Sequence, residues 1–351
     1  MIKLMSGNLL EDNAEALVNT VNTKGIMGKG IALQFKQAYP DMYAKYEFDC
    51  KNEKISLGKI HVYDNGSLGG GPKWILNFPT KNHWKSKSKL EDIESGLDNL
   101  VEVIEELNIS SIAIPPLGCG LGGLKWEAVF PVIEMKLSKI KDLTVHLYPP
   151  AGAPKASTIT INTKEPKITK STAALILLID RYIGGKLTPL ISLLEVHKLM
   201  YFLQESGENL KLNFERKPYG PFAKNLRHMF IRMDGHLIEG YGDGYDAPKK
   251  LLQLKPGAVE KAENYLTDEP ALTEKLESVA QLIEGFEDPY GLELLSTVHW
   301  VANQEVKGES LKTEDEVIAK VQAWSQRKKR IMKPIHLAKA HEHLKRQHML
   351  H

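Results

Sequence analysis

Residues 16–32 read ALVNTVNTKGIMGKGIA, and their order decides the fold. The apolar start and the β-branched residues up to Asn22 read as a strand, Ala16–Asn22. Gly25, Gly28 and Gly30 follow, and from Gly30 to Tyr39 the apolar positions take helical spacing. A strand, then a glycine-rich turn, then a helix lets backbone N–H groups converge on one point. Such a nest at a helix N-terminus binds phosphate.

Residues 115–123, PPLGCGLGG, repeat the arrangement after a strand at Ser111–Pro115. Neither stretch is a P-loop, because G-x-x-x-x-G-K-[ST] is absent, and neither is a full G-x-G-x-x-G. One such loop alone is commonly just a turn. Two on one sheet can grip a pyrophosphate from both sides. Both leave the C-terminal ends of strands, where open α/β sheets bind ligands.

Working outward, further strands are expected at Ile2–Met5, Lys59–Tyr63, Trp74–Phe78 and Leu143–Tyr148. Helices are expected at Asp41–Cys50, Lys89–Leu107 and Lys125–Ile140. The helix after Ser88 carries a capping box, with Glu91 three residues on. Its apolar positions Leu90, Ile93, Leu97, Leu100, Val101, Ile104 and Leu107 keep the helical period. Strands interleaved with helices give an α/β layer fold around a central sheet, over residues 1–150.

Residues 151–172 have linker composition, rich in Pro, Ser, Thr and Lys. Residues 173–351 read as a second, mainly helical domain. Helices are expected at Ala173–Tyr182, Leu187–Gln204, Pro270–Phe286, Leu292–Asn303 and Glu314–Lys329. Phe214–Met233 reads as a Pro/Gly break that continues as a helix, and Leu237–Pro256 as a hairpin around the glycine-rich Tyr241–Tyr245. The tail holds His336, His341, His343, His348 and His351, a spacing more typical of a solvated helix than of a metal site. The Arg327-Lys328-Lys329-Arg330 run reads as a solvated helix end.

The chain has 351 residues, 42% hydrophobic and 26% charged, with net charge +2. Bulk charge therefore argues for no nucleic-acid or membrane partner. Every arginine lies at or after Arg181, as two modules of different origin would give. Two cysteines, Cys50 and Cys119, are too few for a disulfide framework and fit a reducing cytoplasm. No apolar run reaches transmembrane length, no signal peptide is evident, and no Cys/His cluster has zinc spacing. The expectation is a cytoplasmic protein without metal or cofactor.

The motifs Ala-Leu-Val-Asn-Thr-Val-Asn, Gly-Ile-Met-Gly-Lys-Gly-Ile-Ala and Pro-Leu-Gly-Cys-Gly-Leu-Gly-Gly-Leu together resemble the macrodomain pattern. The resemblance implies a three-layer α/β/α fold with a mixed sheet, and ADP-ribose as ligand. It implies that Asn22, preceded by Thr20 and Val21, meets the distal ribose. Gly28, Lys29, Gly30, Ile31 and Ala32 then wrap the pyrophosphate from one side, and Gly118, Cys119, Gly120, Leu121 and Gly122 from the other. Where many members have Gly-Asp-Ile at the adenine, this chain has Gly7-Asn8-Leu9, so Asn8 and Leu9 take that place without charge.

Residues 77–85, NFPTKNHWK, resemble the Thr-Lys motif of the terminal ADP-ribose glycohydrolase branch, and within it the DarG-type antitoxins. That family removes ADP-ribose from thymidine in DNA, and its toxin partner, DarT, adds it. The resemblance assigns catalysis to Lys81, acting at the anomeric carbon of the distal ribose. Eukaryotic relatives carry an acidic residue in the second loop where Gly122 stands here. A neutral Lys81 can attack as a nucleophile; a charged one can protonate or stabilise the leaving base. The loop Lys81–Lys89 sets four lysines around His83 and Trp84, a pattern suited to single-stranded nucleic acid. Cys119 has no evident base partner and reads as a small loop residue. His197–Gln204 followed by Lys217-Pro218-Tyr219-Gly220-Pro221 resembles the Panacea-type antitoxin domain, which implies toxin binding. A glycohydrolase of ADP-ribosylated protein or O-acetyl-ADP-ribose, and a non-catalytic ADP-ribose reader, are the alternatives.

Overall fold

A computed structural model of the chain describes residues 1–66, 71–152, 154–186, 188–267, 269–303 and 313–350. Leu187, where one helix is expected to begin, Ala153 of the expected linker and His351 of the tail lie outside the described residues. Two units form: residues 1–164 with the short stretch Gly242–Tyr245, and residues 165–241 with 246–351.

In the first unit, β1 (Ile2–Leu4), β2 (Ala16–Asn22), β3 (His61–Asp64), β4 (Trp74–Lys81), β5 (Ser111–Ile114) and β6 (Thr144–Leu147) make one sheet, in the order β1-β6-β5-β2-β4-β3. Only β3 runs antiparallel to its neighbour. The connections are α1 (Gly30–Ala38) and α2 (Pro40–Lys51) after β2, α3 (Leu90–Glu106) after β4, and α4 (Trp126–Leu137) after β5. Alternation along the strands builds both outer layers. Val18, Leu76, Phe78, Ile112 and Ile114 face Ile93, Leu97, Leu100, Val129 and Ile133 of α3 and α4. Leu17, Val21, Ile75 and Ala113 pack with Phe35, Met42 and Tyr46 of α1 and α2. The result is a three-layer α/β/α sandwich with a mixed sheet.

The expected capping box at Ser88 does not form. The cap of α3 is Lys89, with no side-chain hydrogen bond. Ser88 is engaged elsewhere: its N–H donates to the Gly122 carbonyl at 3.0 Å, which ties the helix entry to the second glycine loop. Gly96 of α3 admits the Phe78 ring of β4, which stands only 2.3 Å from where a Cβ would be. That close approach fixes the strand whose last residue is Lys81.

The second unit is mainly helical. Its helices are α5 (Lys170–Gly184), α6 (Leu193–Glu205), α7 (Arg227–Met233), α8 (Ala258–Leu266), α9 (Pro270–Ile283), α10 (Pro289–Asn303), α11 (Glu314–Trp324), α12 (Gln326–Ile331) and α13 (Pro334–Arg346). Capping boxes stand at Ser192/Glu195 and Thr313/Glu316. Within Phe214–Met233 the Pro/Gly break is the turn of a hairpin, and the helix that continues from it is the seven-residue α7. β8 (Phe214–Lys217) and β9 (Gly220–Ala223) form a hairpin first, turned by Gly220 at φ +90°. Between the expected hairpin ends, β10 (Ile238–Glu239) pairs with β11 (Leu251–Leu254), and β11 pairs with β7 (Ile191–Ser192). The basic run is not a solvated end throughout. Lys328 is fully buried and reaches Glu293 Oε1 at 2.8 Å, while Arg327 grips the same carboxylate with both terminal nitrogens. The tail helix α13 buries Leu337, Ala340 and Leu344 in the core. No helix among the described residues is long and apolar enough to cross a membrane.

Candidate active site

β2 and β5 are neighbours in the sheet, and the chain leaves them in opposite directions: β2 leads on to β4 and β3, β5 to β6. Their C-terminal ends therefore flank a switch point of strand order, where a crevice opens. The first glycine loop leaves β2 and the second leaves β5. The strand carrying Lys81 is longer than its apolar core implies and runs to Lys81 itself. Asn22 and Lys81 are register partners at the ends of adjacent parallel strands, just past an irregularity between Val21 and Asn22. Further bonds pin these ends together. Thr23 N–H donates to the Lys81 carbonyl at 3.2 Å, Thr23 Oγ1 to the Asn82 carbonyl at 2.8 Å, and Thr80 Oγ1 to the Val21 carbonyl at 3.3 Å.

Asn22 is buried and braces its own turn. Its Nδ2 donates to the Ile26 carbonyl at 2.6 Å and its Oδ1 accepts from Lys24 N–H at 2.9 Å. The Tyr46 hydroxyl of α2 donates to the Asn22 carbonyl. Beneath the loop, Asn19 Nδ2 donates to Asn77 Oδ1 at 2.8 Å, a fully buried bond that joins β2 to β4. Tyr46 carries no sequence motif; only the packing of α2 brings it to the site, whereas Thr23 and Thr80 lie within the motif stretches and the strand register joins them.

The first loop leads into α1, with Lys29 at the cap position and Gly30 at φ +58°. Ile31 and Ala32 follow in its first turn. Asn8 caps a short helical turn, Leu9–Glu11, by accepting from Leu10 N–H. Its Nδ2 donates to Glu11 Oε1 at 3.0 Å and to the Thr158 carbonyl at 3.1 Å.

The second loop is held by bonds between its own backbone groups, from Cys119 N–H to Pro116 O and from Leu124 N–H to Gly118 O. Gly118 stands at φ +68°. A Cβ at Gly122 would lie 2.3 Å from both the Gly118 carbonyl oxygen and Ser88 Oγ. The loop therefore has no room for an acidic side chain at Gly122. A Cβ at Gly120 would meet no protein atom within 4 Å. Burial, and then Glu127, push the Cys119 thiol up to about 11, which opposes a nucleophilic thiolate.

Lys81 Nζ lies 3.4 Å from the Leu121 carbonyl of the second loop. Burial, and then the nearby Lys87 ammonium, lower its pKa below the ordinary lysine value. Past it, the His83 and Trp84 rings stack with centroids 5.3 Å apart, and Lys85 Nζ stands 4.8 Å over the Trp84 ring. Trp84 is 41% exposed, an unusual state for so large an apolar ring. Among the described residues, no group of three or more His, Cys, Asp or Glu side chains is placed to hold a metal ion.

The Macro domain family matches residues 18–133. A DNA ADP-ribosyl glycohydrolase of Thermus aquaticus is 44% identical over 328 residues, 93% of this chain and 89% of its own. A DNA ADP-ribosyl transferase-DNA ADP-ribosyl glycohydrolase fusion protein of Thermosipho africanus is 37% identical over 163 residues, 42% of each chain. The solved macrodomain of Mycobacterium tuberculosis DarG is 52% identical, covers 43% of this chain and 99% of its own, and superposes with a TM-score of 0.42. The layered sheet, the two glycine loops and the family match make the first unit a macrodomain. The whole chain belongs to the DNA ADP-ribosyl glycohydrolase family, the DarG proteins.

Proposed function

We propose that this protein removes ADP-ribose from thymidine bases in single-stranded DNA, and that its second unit binds and neutralises the cognate DNA ADP-ribosyltransferase toxin in the cytoplasm. The pairing of Asn22 with Lys81 at adjacent strand ends, between two glycine loops, carries the first half of this reading. The loops cradle the pyrophosphate: Gly28, Lys29, Gly30 and Ile31 from one side, Gly118 to Gly122 from the other. Asn22 meets the distal ribose, with Thr20, Val21 and Ala32 lining its side, and Asn8 and Leu9 meet the adenine.

The reaction breaks the bond from the anomeric carbon to a thymine nitrogen. Water adds its oxygen to that carbon, and the nitrogen ends with a proton. Lys81 sits where charge develops on the leaving base. With its pKa lowered, a protonated Lys81 is a better acid than a free lysine, and no acidic partner in the second loop holds its proton. Trp84 and the surrounding lysines offer a stacking face and phosphate partners for a single strand. The names of the relatives support DNA as the substrate and a transferase as the functional partner.

The test is parallel incubation with ADP-ribosylated single-stranded oligonucleotides and with ADP-ribosylated protein. Release of ADP-ribose from the oligonucleotide alone is the expected result. Release from protein alone would move the substrate to protein-linked ADP-ribose.

A further inference from the structure

The first unit includes a stretch far from the rest of it in sequence, Gly242–Tyr245, and this stretch lies on the first glycine loop. The N–H of Gly30 donates to the Asp243 carbonyl at 2.8 Å. Lys29 Nζ stands 5.1 Å from the centroid of the Tyr245 ring. Gly242 and Gly244 hold positive φ, +63° and +72°, which shape the turn. Gly242 also packs tightly, since a Cβ there would lie 3.3 Å from Ile159 and 3.4 Å from Ala156.

Gly30 opens α1, so its N–H is one of the helix's donors without an intrahelical partner. It is also one of the amides assigned above to the pyrophosphate. A peptide carbonyl and a phosphate oxygen compete for the same hydrogen, and Lys29 divides its ammonium between an aromatic face and an anion. We propose that Gly242–Tyr245 is a removable cap on the diphosphate subsite, which ADP-ribose must displace; the inference rests on the ADP-ribose reading above. A phosphate oxygen makes the stronger, charge-assisted bond to the amide and to Lys29, so the exchange runs toward the ligand. The apparent affinity is then the intrinsic affinity reduced by the fraction of molecules that are uncapped.

Two variants of the full chain loosen the cap by different routes. Gly244→Val puts a β-branched residue at a positive φ that it tolerates poorly. Tyr245→Ala removes the ring beneath Lys29. Calorimetry with ADP-ribose, and with adenosine as a probe without phosphate, reads the effect. Either variant should bind ADP-ribose about three- to tenfold more tightly, the scale of one hydrogen bond, with adenosine unchanged. Should Gly244→Val fail to fold, Tyr245→Ala decides alone. Unchanged or weaker ADP-ribose binding overturns the cap, as does an equal gain for adenosine. Failure of the unaltered chain to bind ADP-ribose overturns the ADP-ribose reading itself, and the cap with it.

Discussion

The proposed mechanism concentrates the chemistry at a single nitrogen, that of Lys81. If the loops make the ground-state contacts to ADP-ribose, as proposed, Lys81→Ala should spare ADP-ribose affinity while turnover on ADP-ribosylated DNA falls about a hundredfold or more. Asn22→Ala should harm both, because the Asn22 side chain also holds its own loop through Ile26 and Lys24. Calorimetry beside single-turnover kinetics separates the two patterns; full activity of Lys81→Ala would take the catalytic role away from Lys81. As an acid, Lys81 works while protonated, so activity is lost as pH rises through its pKa. Burial and Lys87 place that loss below the ordinary lysine value. Lys87→Ala removes one of these causes, and the alkaline limb of the pH profile should move upward. Borohydride treatment during turnover should leave no ADP-ribose on Lys81; an adduct found by mass spectrometry would make it a nucleophile instead.

At the scale of elements, the second loop is tied to the entry of α3. Gly122 lies against both Gly118 and Ser88, so Gly122→Asp should strain the loop. It should cost about 1–3 kcal/mol of stability, as overpacking does, and weaken ADP-ribose binding. Urea unfolding and calorimetry check this; a stable variant with undiminished binding would show that the loop yields. A glycine in sequence did not disclose which kind it was: Gly120 stands in open space while Gly122 is wedged. Ser88 misled for a related reason. Its sequence is that of a capping box, but its backbone is held by the second loop, a partner no local pattern records. The strands, by contrast, were legible as short apolar runs, because the central ones are buried on both faces. The second unit carries its own coupled element, Glu293 of α10 between Arg327 and Lys328 of α12. Glu293→Gln leaves Lys328 buried without its counter-charge and should cost about 3–5 kcal/mol in urea unfolding. A loss under about 1 kcal/mol would mean that the pair is solvated or remakes its bonds, as surface pairs do.

Over the whole molecule, motif density decided what could be read. The first unit announces itself because phosphate binding demands glycines at particular places, and those leave a trace in sequence. The hairpin β8–β9 was legible only as a Pro/Gly break before a helix, because its strands are four residues each, too short for a period to emerge. Arg327 and Lys328 were read as solvated because a buried lysine is rare and its acidic partner lies 35 residues away. Two units also allow two activities to be separated. If the second unit neutralises the toxin by binding it, that protection needs no turnover at Lys81. Cells expressing the cognate transferase should then survive with full-length Lys81→Ala, and the two proteins should co-purify, while ADP-ribose already on the DNA should persist longer than with the unaltered chain. Survival with persistent DNA modification would separate binding from hydrolysis within one experiment. Death of cells carrying a well-expressed Lys81→Ala protein, with no complex recovered, would place all of the protection in the macrodomain and leave the second unit another role.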